Sequence, residues 1–384
     1  MSTVSAPATP TARVGIVGGG QLARMSQAAA IALDVELHVL DAAGAPAAAA
    51  GAQLIEGSWE SLDDLARLAA DVDVVTFDHE FADREALQEL ARRGVVIRPH
   101  PDVKRLAQDK LHMRRTLGDQ LGLPVPAFAE VHEAADVEAF AQANGWPVVL
   151  KTITGGYDGK GVQVVDTPRE AAETIAAFGA PVLAEALVGI DLELSAIVAR
   201  AAGTGEVRAY PVVETLQVDG ICNEVVLPAR VDPVIAARAD ALALELAEAI
   251  GLEGLLAVEL FVSDGELLIN ELAMRPHNSG HVTLNGCLTS QFEQHLRAVL
   301  GWPLGATRAV APAAAMVNVL GPADGSDPGD RIAAALHVEG AHVHLYGKAP
   351  RPGRKLGHVT ALGPDGDAAL ESARAAAAIL EGER

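Results

Sequence analysis

Hydrophobic positions in the first quarter of the chain form short apolar runs that alternate with helical patterns. The apolar runs cover residues 13–17, 35–40, 73–77 and 95–98, and helical spacing separates them over 21–33, 61–70 and 84–93. Strands that alternate with helices are typical of a parallel, doubly wound sheet. The pattern therefore predicts an α/β chain whose first, Rossmann-like domain covers residues 13–107.

The rest of the chain changes from helix–strand alternation to closely spaced strands. A helix over 103–121 comes first, and strands at 148–152, 162–165 and 182–185 follow. Hairpin-like spacing then predicts antiparallel sheet with strands at 193–200, 207–213, 256–262 and 267–272, covered by an Ala-rich helix at 233–250. We expect a second domain over 108–305, with a flap lobe at about 125–190, and a small β-rich domain over 306–384. Residues 1–12 lack a basic or apolar targeting segment, and we expect a disordered leader there.

Composition narrows the possible partners. The 384 residues include 29 Lys and Arg against 51 Asp and Glu, a net charge of −22, which argues against nucleic acid or an anionic membrane as the main partner. No uncharged apolar run is long enough to predict a membrane span. The two cysteines, Cys222 and Cys287, form no metal motif and fit a reducing compartment, so we expect a cytoplasmic protein.

The first glycine-rich loop joins a strand to a helix. Gly18, Gly20 and Ala23 match the dinucleotide fingerprint in part, and Asp41 ends the next strand. An NAD-dependent oxidoreductase is therefore one possible function. The fingerprint is weak by itself, because many α/β proteins use the same turn to hold a single phosphate or no ligand.

The second glycine-rich loop, KTITGGYDGKG at residues 151–161, joins two strands. It differs from a P-loop, since no Ser or Thr follows Lys160 and no helix is indicated after it. Its glycines allow backbone N–H groups to surround phosphates, and Lys151 and Lys160 can neutralise the charge that develops during phosphoryl transfer. The alternative is a mobile hairpin with solvated lysines. We favour a phosphate-binding flap, because a plain hairpin does not need so many glycines.

Two glutamates lie within apolar strands of one hairpin. Glu259 and Glu271 occur in LLAVELFV and ELLINEL, and a buried carboxylate needs a partner. Magnesium, bound by carboxylates together with nucleotide phosphates, is the partner we favour over a surface salt bridge. A two-residue turn at Asp264 and Gly265 alone sets Asn270 opposite Glu259. The metal hypothesis therefore predicts a longer loop or a β-bulge that brings Glu271 opposite Glu259.

Further polar groups lie beside these strands and near the C-terminus. Glu185 and Glu193 flank a segment, residues 186–188, whose backbone could pair with adenine, and Glu193 could accept from ribose hydroxyls. The segment RPHNSGH at 275–281 has no third ligand for zinc and suits an oxyanion better. The stretch YGKAPRPGRKLGH at 346–358 is the most cationic part of an acidic chain, and we expect it to bind phosphate rather than only water.

The ordered set of motifs resembles the N(5)-carboxyaminoimidazole ribonucleotide synthetase family of purine synthesis. The motifs are GGGQLARM, KTITGGYDGKG, INELAMRPHNSGH, TSQFEQHLRAV and YGKAPRPGRKLGH, and the similarity runs from about Val14 to Thr360. The resemblance implies an ATP-grasp fold with an N-terminal pre-ATP-grasp domain, and a homodimer. It also implies that ATP and bicarbonate form carboxyphosphate and ADP. The amine of 5-aminoimidazole ribonucleotide then captures the carboxyl group, either directly or as released carbon dioxide.

The resemblance also implies roles for individual residues. The expected ATP ligands are Lys110, Lys151, Gly156, Tyr157, Asp158, Gly159, Lys160, Gly161, Val162, Glu185, Ala186, Leu187, Val188, Glu193, Gln217, Asn270 and Glu271. Glu259 and Glu271 would hold Mg²⁺. Arg275 and His277 would stabilise carboxyphosphate, with Lys151, Tyr157, Asp158 and Lys160 as the other catalytic residues. The ribonucleotide would contact Gln21, Leu22, Glu80, Asn278, Ser279, Lys348, Arg354 and Lys355. Some relatives have His where this chain has Gln217, and Arg where it has Lys110.

Three other functions stay open at this point. A related ATP-grasp ligase, such as a glycinamide ribonucleotide transformylase or a biotin carboxylase, would share the ATP residues and differ at the acceptor. A nicotinamide-dependent dehydrogenase would leave the second glycine loop and the paired glutamates unexplained. A non-catalytic nucleotide-binding protein would not need both glutamates, and both are present.

Overall fold

The computed structural model describes residues 11–156, 160–218 and 221–382. The chain divides into two compact units, the first ending at Arg98 and the second beginning at Pro99. No helix within the described ranges combines the length and the apolar character that a membrane span requires.

The first unit is a parallel sheet covered by helices. Its strands are β1 (Arg13–Val17), β2 (Glu36–Asp41), β3 (Gln53–Glu56) and β4 (Val74–Phe77), and its helices are α1 (Gln21–Leu33), α2 (Pro46–Ala49), α3 (Leu62–Ala70) and α4 (Arg84–Arg92). The strand order is β3-β2-β1-β4, with parallel pairing throughout. This arrangement confirms the Rossmann-like prediction. The expected strand at 95–98 is reduced to a single bridge between Val75 and Ile97.

The single helix predicted over 103–121 is wrong, because the chain breaks at Asp109. The observed pieces are α5 (Pro101–Gln108), α6 (Lys110–Arg114) and a π-helical segment (Arg115–Gln120). Asp109 has extended φ and ψ angles of −128° and 98°, and its side chain accepts from His112 N to cap α6. Its backbone also bridges to Thr154, and Lys110 N donates to Ile153 O at 2.8 Å. The start of α6 is thereby tied to the base of the second glycine loop.

A small antiparallel sheet carries that loop. Its elements in chain order are β5 (Phe128–Val131), α7 (Ala134–Asn144), β6 (Val148–Thr152), β7 (Val162–Val165), α8 (Pro168–Phe178) and β8 (Val182–Ala186). The sheet order is β5-β8-β6-β7. Since β6 and β7 are neighbours, the glycine loop is the connection of a hairpin at the sheet edge.

The large sheet begins with six strands and is covered by one long helix. Its first elements are β9 (Leu192–Arg200), β10 (Val207–Ala209), β11 (Val213–Val218), β12 (Ile221–Leu227), α9 (Pro233–Ala249), β13 (Gly254–Ser263) and β14 (Glu266–Ala273). The expected strand at 207–213 is divided into β10 and the start of β11, and β12 was not predicted. Buried Leu242 and Leu246 of α9 pack against Leu256 and Val258 of β13.

The C-terminal elements extend this sheet. They are α10 (Thr283–Gly286), α11 (Gln291–Leu300), β15 (Ala313–Leu320), α12 (Ile332–Ala335), β16 (Ala341–Leu345), β17 (Lys355–Gly363) and α13 (Gly366–Glu381), with short 3₁₀ turns at Asn278–Gly280 and Pro328–Arg331. Among the described residues the order is β14-β13-β9-β11-β12-β15-β17-β16, with β10 beside β9. Strand β17, which begins within the cationic stretch, was not predicted. The apolar face of α13 covers β15 and β17.

Candidate functional site

A β-bulge in the β13–β14 hairpin brings the two strand glutamates together. The turn has two residues, Asp264 and Gly265, both with positive φ, and Ser263 pairs with Glu266. The register then shifts, so that Leu260 pairs with Ile269 while Glu259 pairs with Glu271. The extra residue of the bulge is Asn270. This confirms the bulge that the metal hypothesis required.

Lysines lie against the bulge. Lys110 Nζ is 3.1 Å from Glu271 Oε1, and Lys151 Nζ is 3.3 Å from Asn270 Oδ1. Lys151 Nζ also lies 2.7 Å from Glu185 Oε2 on β8. Lys151 is therefore a largely buried cation, between the small sheet and the bulge of the large sheet.

Arg114 is a member of this network that the sequence did not reveal. Its Nε donates to Glu185 Oε1 at 2.6 Å, and its Nη2 donates to the carbonyl oxygen of Asn270 at 2.9 Å. Burial opposes charge on Glu185, yet Arg114 and Lys151 together lower the pKa of this carboxyl. The available signal was spacing, because Arg114 lies four residues after Lys110 and so on the same face of α6.

His277 holds the other glutamate of the pair. Its Nε2 lies 3.2 Å from Glu259 Oε1, and its Nδ1 lies 2.8 Å from Ser279 Oγ. Ser279 Oγ in turn contacts Ser195 Oγ at 2.8 Å. Burial tends to raise the pKa of Glu259, but the His277 hydrogen bond and the nearby cations Arg275 and Lys110 lower it. Ser279 is thus a buried support for His277.

Glu193 occupies the same face of the sheet as Glu259. On β9, Ser195 pairs with Glu259 and Glu193 pairs with Phe261. Burial, with repulsion from Glu259, raises the pKa of Glu193 to about 7, although a hydrogen bond with Gln217 opposes the shift. Gln217 therefore contacts Glu193, which was also an expected ATP ligand.

At Gly156 and Gly161 the glycine loop leaves no room for a side chain. A Cβ on Gly156 would lie 2.6 Å from Lys160 O, and one on Gly161 would lie 2.4 Å from Thr152 Oγ1. Gly161 also has a φ of 74°, which favours glycine. Val162 begins the returning strand β7, and Lys160 lies in the turn before it. Tyr157, Asp158 and Gly159 lie outside the described residues.

The segment after β8 offers few backbone groups to adenine. Ala186 N donates to Ala127 O at 2.9 Å, so this N–H is already used. Leu187 is half exposed, and Val188 follows it outside the strand. Leu187 and Val188 therefore stay the expected partners of an adenine ring.

The cationic tail forms its own cluster. Lys348 Nζ donates to Lys355 O at 3.4 Å and lies 5.4 Å from the centroid of the Tyr346 ring. Arg354 Nη1 donates to Ala349 O at 3.1 Å, and burial beside Arg351 lowers its pKa. A cavity of about 410 Å³ is lined by Lys348 and neighbours that include Gly347, Pro350 and Leu356.

Asn278 is fixed by a carbonyl oxygen of the large sheet. Its Nδ2 donates to Cys222 O at 3.1 Å, and Asn318 Nδ2 donates to the same oxygen at 2.8 Å. Asn318 was not among the expected site residues. Burial raises the pKa of the Cys222 thiol to about 12, so the sulfur is not a nucleophile.

The expected ribonucleotide ligands of the first unit lie beside the first glycine loop. Gln21 begins α1, Leu22 is buried behind it, and Glu80 follows β4. The loop amides are already occupied, because Gly19 N donates to Asp41 Oδ2 at 2.7 Å and Gly20 N to Asp78 Oδ2 at 2.5 Å. A dinucleotide pyrophosphate would need those N–H groups, so the loop does not suit one.

The paired glutamates fit magnesium better than a metal held by protein alone. No group of at least three His, Cys, Asp or Glu ligands gathers anywhere in the described ranges. Magnesium needs only one or two carboxylates, since phosphates and water complete its shell. Glu259 and Glu271, now paired with His277 and Lys110, meet that requirement.

Comparison with known proteins assigns all three parts of the chain. Residues 11–108 match the ribonucleotide synthetase preATP-grasp domain, residues 116–292 the ATP-grasp domain, and residues 314–372 the phosphoribosylaminoimidazole carboxylase C-terminal domain. A Mycobacterium bovis protein named N5-carboxyaminoimidazole ribonucleotide synthase is 48% identical, over 95% of this chain and 86% of its own length.

Solved structures agree with these matches. A Thermus thermophilus N5-carboxyaminoimidazole ribonucleotide synthetase is similar with a TM-score of 0.86 and 38% identity, over 97% of this chain and 99% of that one. An Aspergillus clavatus N5-carboxyaminoimidazole synthase, solved with ADP and 5-aminoimidazole ribonucleotide, is similar with a TM-score of 0.88 and 33% identity, over 97% and 99%. The ATP-grasp fold expected from the motifs is confirmed.

Proposed function

Because the chain belongs to the N5-carboxyaminoimidazole ribonucleotide synthase family, we propose that it uses ATP and bicarbonate to carboxylate 5-aminoimidazole ribonucleotide. It is an ATP-dependent ligase of purine biosynthesis, and the resemblance seen in the motifs is confirmed. Mg²⁺, a homodimer and a cytoplasmic location, all expected from the sequence, belong to the same proposal.

One observation supports the chemistry most directly. Lys110 contacts Glu271 and Lys151 contacts Asn270, while His277 contacts Glu259. A triphosphate at this position would have cations for its oxygens, and the glutamate pair would hold Mg²⁺ against it. Bound there, magnesium would neutralise charge on the transferring phosphoryl group.

The proposed reaction has two steps, a phosphoryl transfer to bicarbonate and a carboxyl transfer to the ribonucleotide amine. A bicarbonate oxygen attacks the γ-phosphorus, the bond to the β-phosphate oxygen breaks, and ADP leaves carboxyphosphate behind. The ribonucleotide amine then forms a C–N bond to the carboxyl carbon, loses a proton and releases phosphate. His277 and Arg275 would stabilise the carboxyphosphate, and the glycine loop, with Tyr157, Asp158 and Lys160, would close over it to exclude water.

The other expected ligands keep the roles that the resemblance implies. Glu193 with Gln217 would meet the ribose, and the segment at Leu187 and Val188 would meet the adenine. The tail cluster of Lys348, Arg354 and Lys355 would bind the phosphate of the ribonucleotide, with Asn278 as a hydrogen-bond donor or acceptor. Gln21, Leu22 and Glu80 stay proposed ligands from the first unit.

The function is tested by ADP release with purified protein and magnesium. ADP release should require both bicarbonate and 5-aminoimidazole ribonucleotide for full rate, and glycinamide ribonucleotide with formate or biotin should not replace them. Preference for glycinamide ribonucleotide and formate would favour the transformylase alternative. No acceptor-dependent ADP release under any condition would favour a non-catalytic nucleotide-binding protein.

A further inference from the structure

Arg114 occupies a position between the two sheets of the second unit. Its side chain is 1% exposed, and the edge formed by Nε and Nη2 spans Glu185 on β8 and the Asn270 carbonyl on β14. Its Nη1 is buried and makes no hydrogen bond with any residue in the described ranges. Such a buried cation is costly unless an anion compensates it, and Glu185 is that anion.

Glu185 has two cationic partners, although one would neutralise it. Arg114 contacts its Oε1 at 2.6 Å and Lys151 contacts its Oε2 at 2.7 Å. Glu185 itself is 2% exposed, so water contributes little to its charge. The three side chains together carry one net positive charge before any nucleotide arrives.

We propose that Arg114 is a positioning residue that neutralises Glu185 permanently, so that Lys151 can move from that carboxylate to the triphosphate. The inference rests on the proposed function, in which Lys151 binds phosphate. When Lys151 turns to a phosphate oxygen, the Arg114–Glu185 pair stays behind as a neutral unit. Without Arg114, the same movement would leave a buried carboxylate alone, and Glu185 would retain Lys151.

The short helix α6 carries two cations of the site, Lys110 and Arg114. Lys110 and Arg114 lie one turn apart, and they contact the consecutive bulge residues Glu271 and Asn270. The cap at Asp109 and the bond from Lys110 N to Ile153 O fix the helix start. Arg114 is therefore held by the same scaffold as the expected ATP ligand Lys110.

A double-mutant cycle on nucleotide affinity tests the charge argument. ADP and ATP binding, each with magnesium, would be measured by calorimetry for wild type, R114M, E185Q and the double variant. R114M should weaken binding at least about tenfold, because Glu185 then retains Lys151. In the E185Q background the same change should cost less than about threefold, since no lone carboxylate remains. An equal cost in both backgrounds would overturn the proposal, because it would mean a direct or purely structural role.

Three further variants make the result specific. R114K keeps the positive charge and loses the forked guanidinium, so its nucleotide affinity should stay within about threefold of wild type. It also tests the proposal if R114M does not fold. R115M is the matched control, because Arg115 is half exposed and pairs with Glu130. An R114K variant as weak as R114M would contradict neutralisation. If K151A bound both nucleotides like wild type, the proposed role of Lys151 would fail instead, whatever the cycle gave.

Discussion

The two loops are both rich in glycine but have opposite electrostatic surroundings. At the first loop the amides of Gly19 and Gly20 donate to Asp41 and Asp78, so the protein's own carboxylates fill the anion position. The second loop has Lys151 at its base, and the carboxylates nearest to that lysine are already paired with cations. At the first loop the anion is a carboxylate of the protein itself. At the second loop a cation is present that can bind an anionic ligand.

This contrast shows why a glycine motif alone does not identify a ligand. In both loops the glycines permit close approach, since a Cβ would lie 2.6 Å from Asp78 Oδ2 at Gly20 and 2.6 Å from Lys160 O at Gly156. What differs is the charge that faces the amides. Backbone N–H groups that already bind a carboxylate have a structural role, whereas a glycine loop beside cations is available to phosphate.

The contrast depends most strongly on Lys151. K151A should lower bicarbonate-dependent ADP release by about 10²–10³-fold, because a preorganised cation at the transferring phosphoryl group is lost. Steady-state ADP formation at saturating ATP measures this. R169A is the control, since Arg169 is an exposed cation of the same lobe and pairs with Glu173. Near-normal ADP release by K151A would remove the second loop from catalysis.

Loss of one bulge carboxylate should have the next largest effect. E271Q should reduce ADP release by about 10²-fold at fixed magnesium and should raise the magnesium concentration needed for half-maximal rate. A magnesium titration of the rate measures both. E266Q on the same strand is the matched control, because Glu266 is exposed and pairs with Arg238. If E271Q and E266Q had the same magnesium dependence, the glutamate pair would not be the metal site.

At the first loop the expected effect concerns stability rather than catalysis. D41A removes the acceptor for Gly19 N and for Ala42 N, each at 2.7 Å, and should cost about 2–3 kcal/mol of unfolding free energy. Urea unfolding measures the loss, and calorimetry should show unchanged ATP affinity. D63A is the control, since Asp63 lies on the surface of α3. A large fall in nucleotide affinity in D41A would break the contrast between the loops.

Sequence reasoning succeeded where a local pattern determines the structure. The Rossmann-like alternation, both glycine loops and the bulge beside Glu259 followed from periodicity, turn chemistry and register. It failed where long-range contacts decide. Asp109 breaks the helix predicted over 103–121 because its backbone pairs with Thr154, far along the chain. No local signal indicates that pairing.

The site shows the same limit. Glu259 and Glu271 could be paired from the hairpin alone, because only a few residues separate them. Spacing could place Arg114 on the same helix face as Lys110, but not identify its partners Glu185 and Asn270, which lie 71 and 156 residues away. Strand β17 was missed because its glycine and polar residues hide the alternation, although β15 and β16 pair with it on either side.

Protonation of a buried histidine should make the stability of the second unit sensitive to acid. His295 on α11 is 1% exposed, and burial lowers its pKa to about 4. The unfolded chain, with a histidine pKa of about 6.5, then binds more protons than the folded chain between these values. This contribution to stability is complete above pH 6.5 and is lost as the pH falls toward 4, by about 2 kcal/mol between pH 7 and pH 5.

H295Q should lose correspondingly less stability over that interval in urea unfolding at the two pH values. H132Q, at an exposed site, should behave like wild type. Equal acid sensitivity of H295Q and wild type would show that other groups, rather than this buried ring, set the acid limit of the unit.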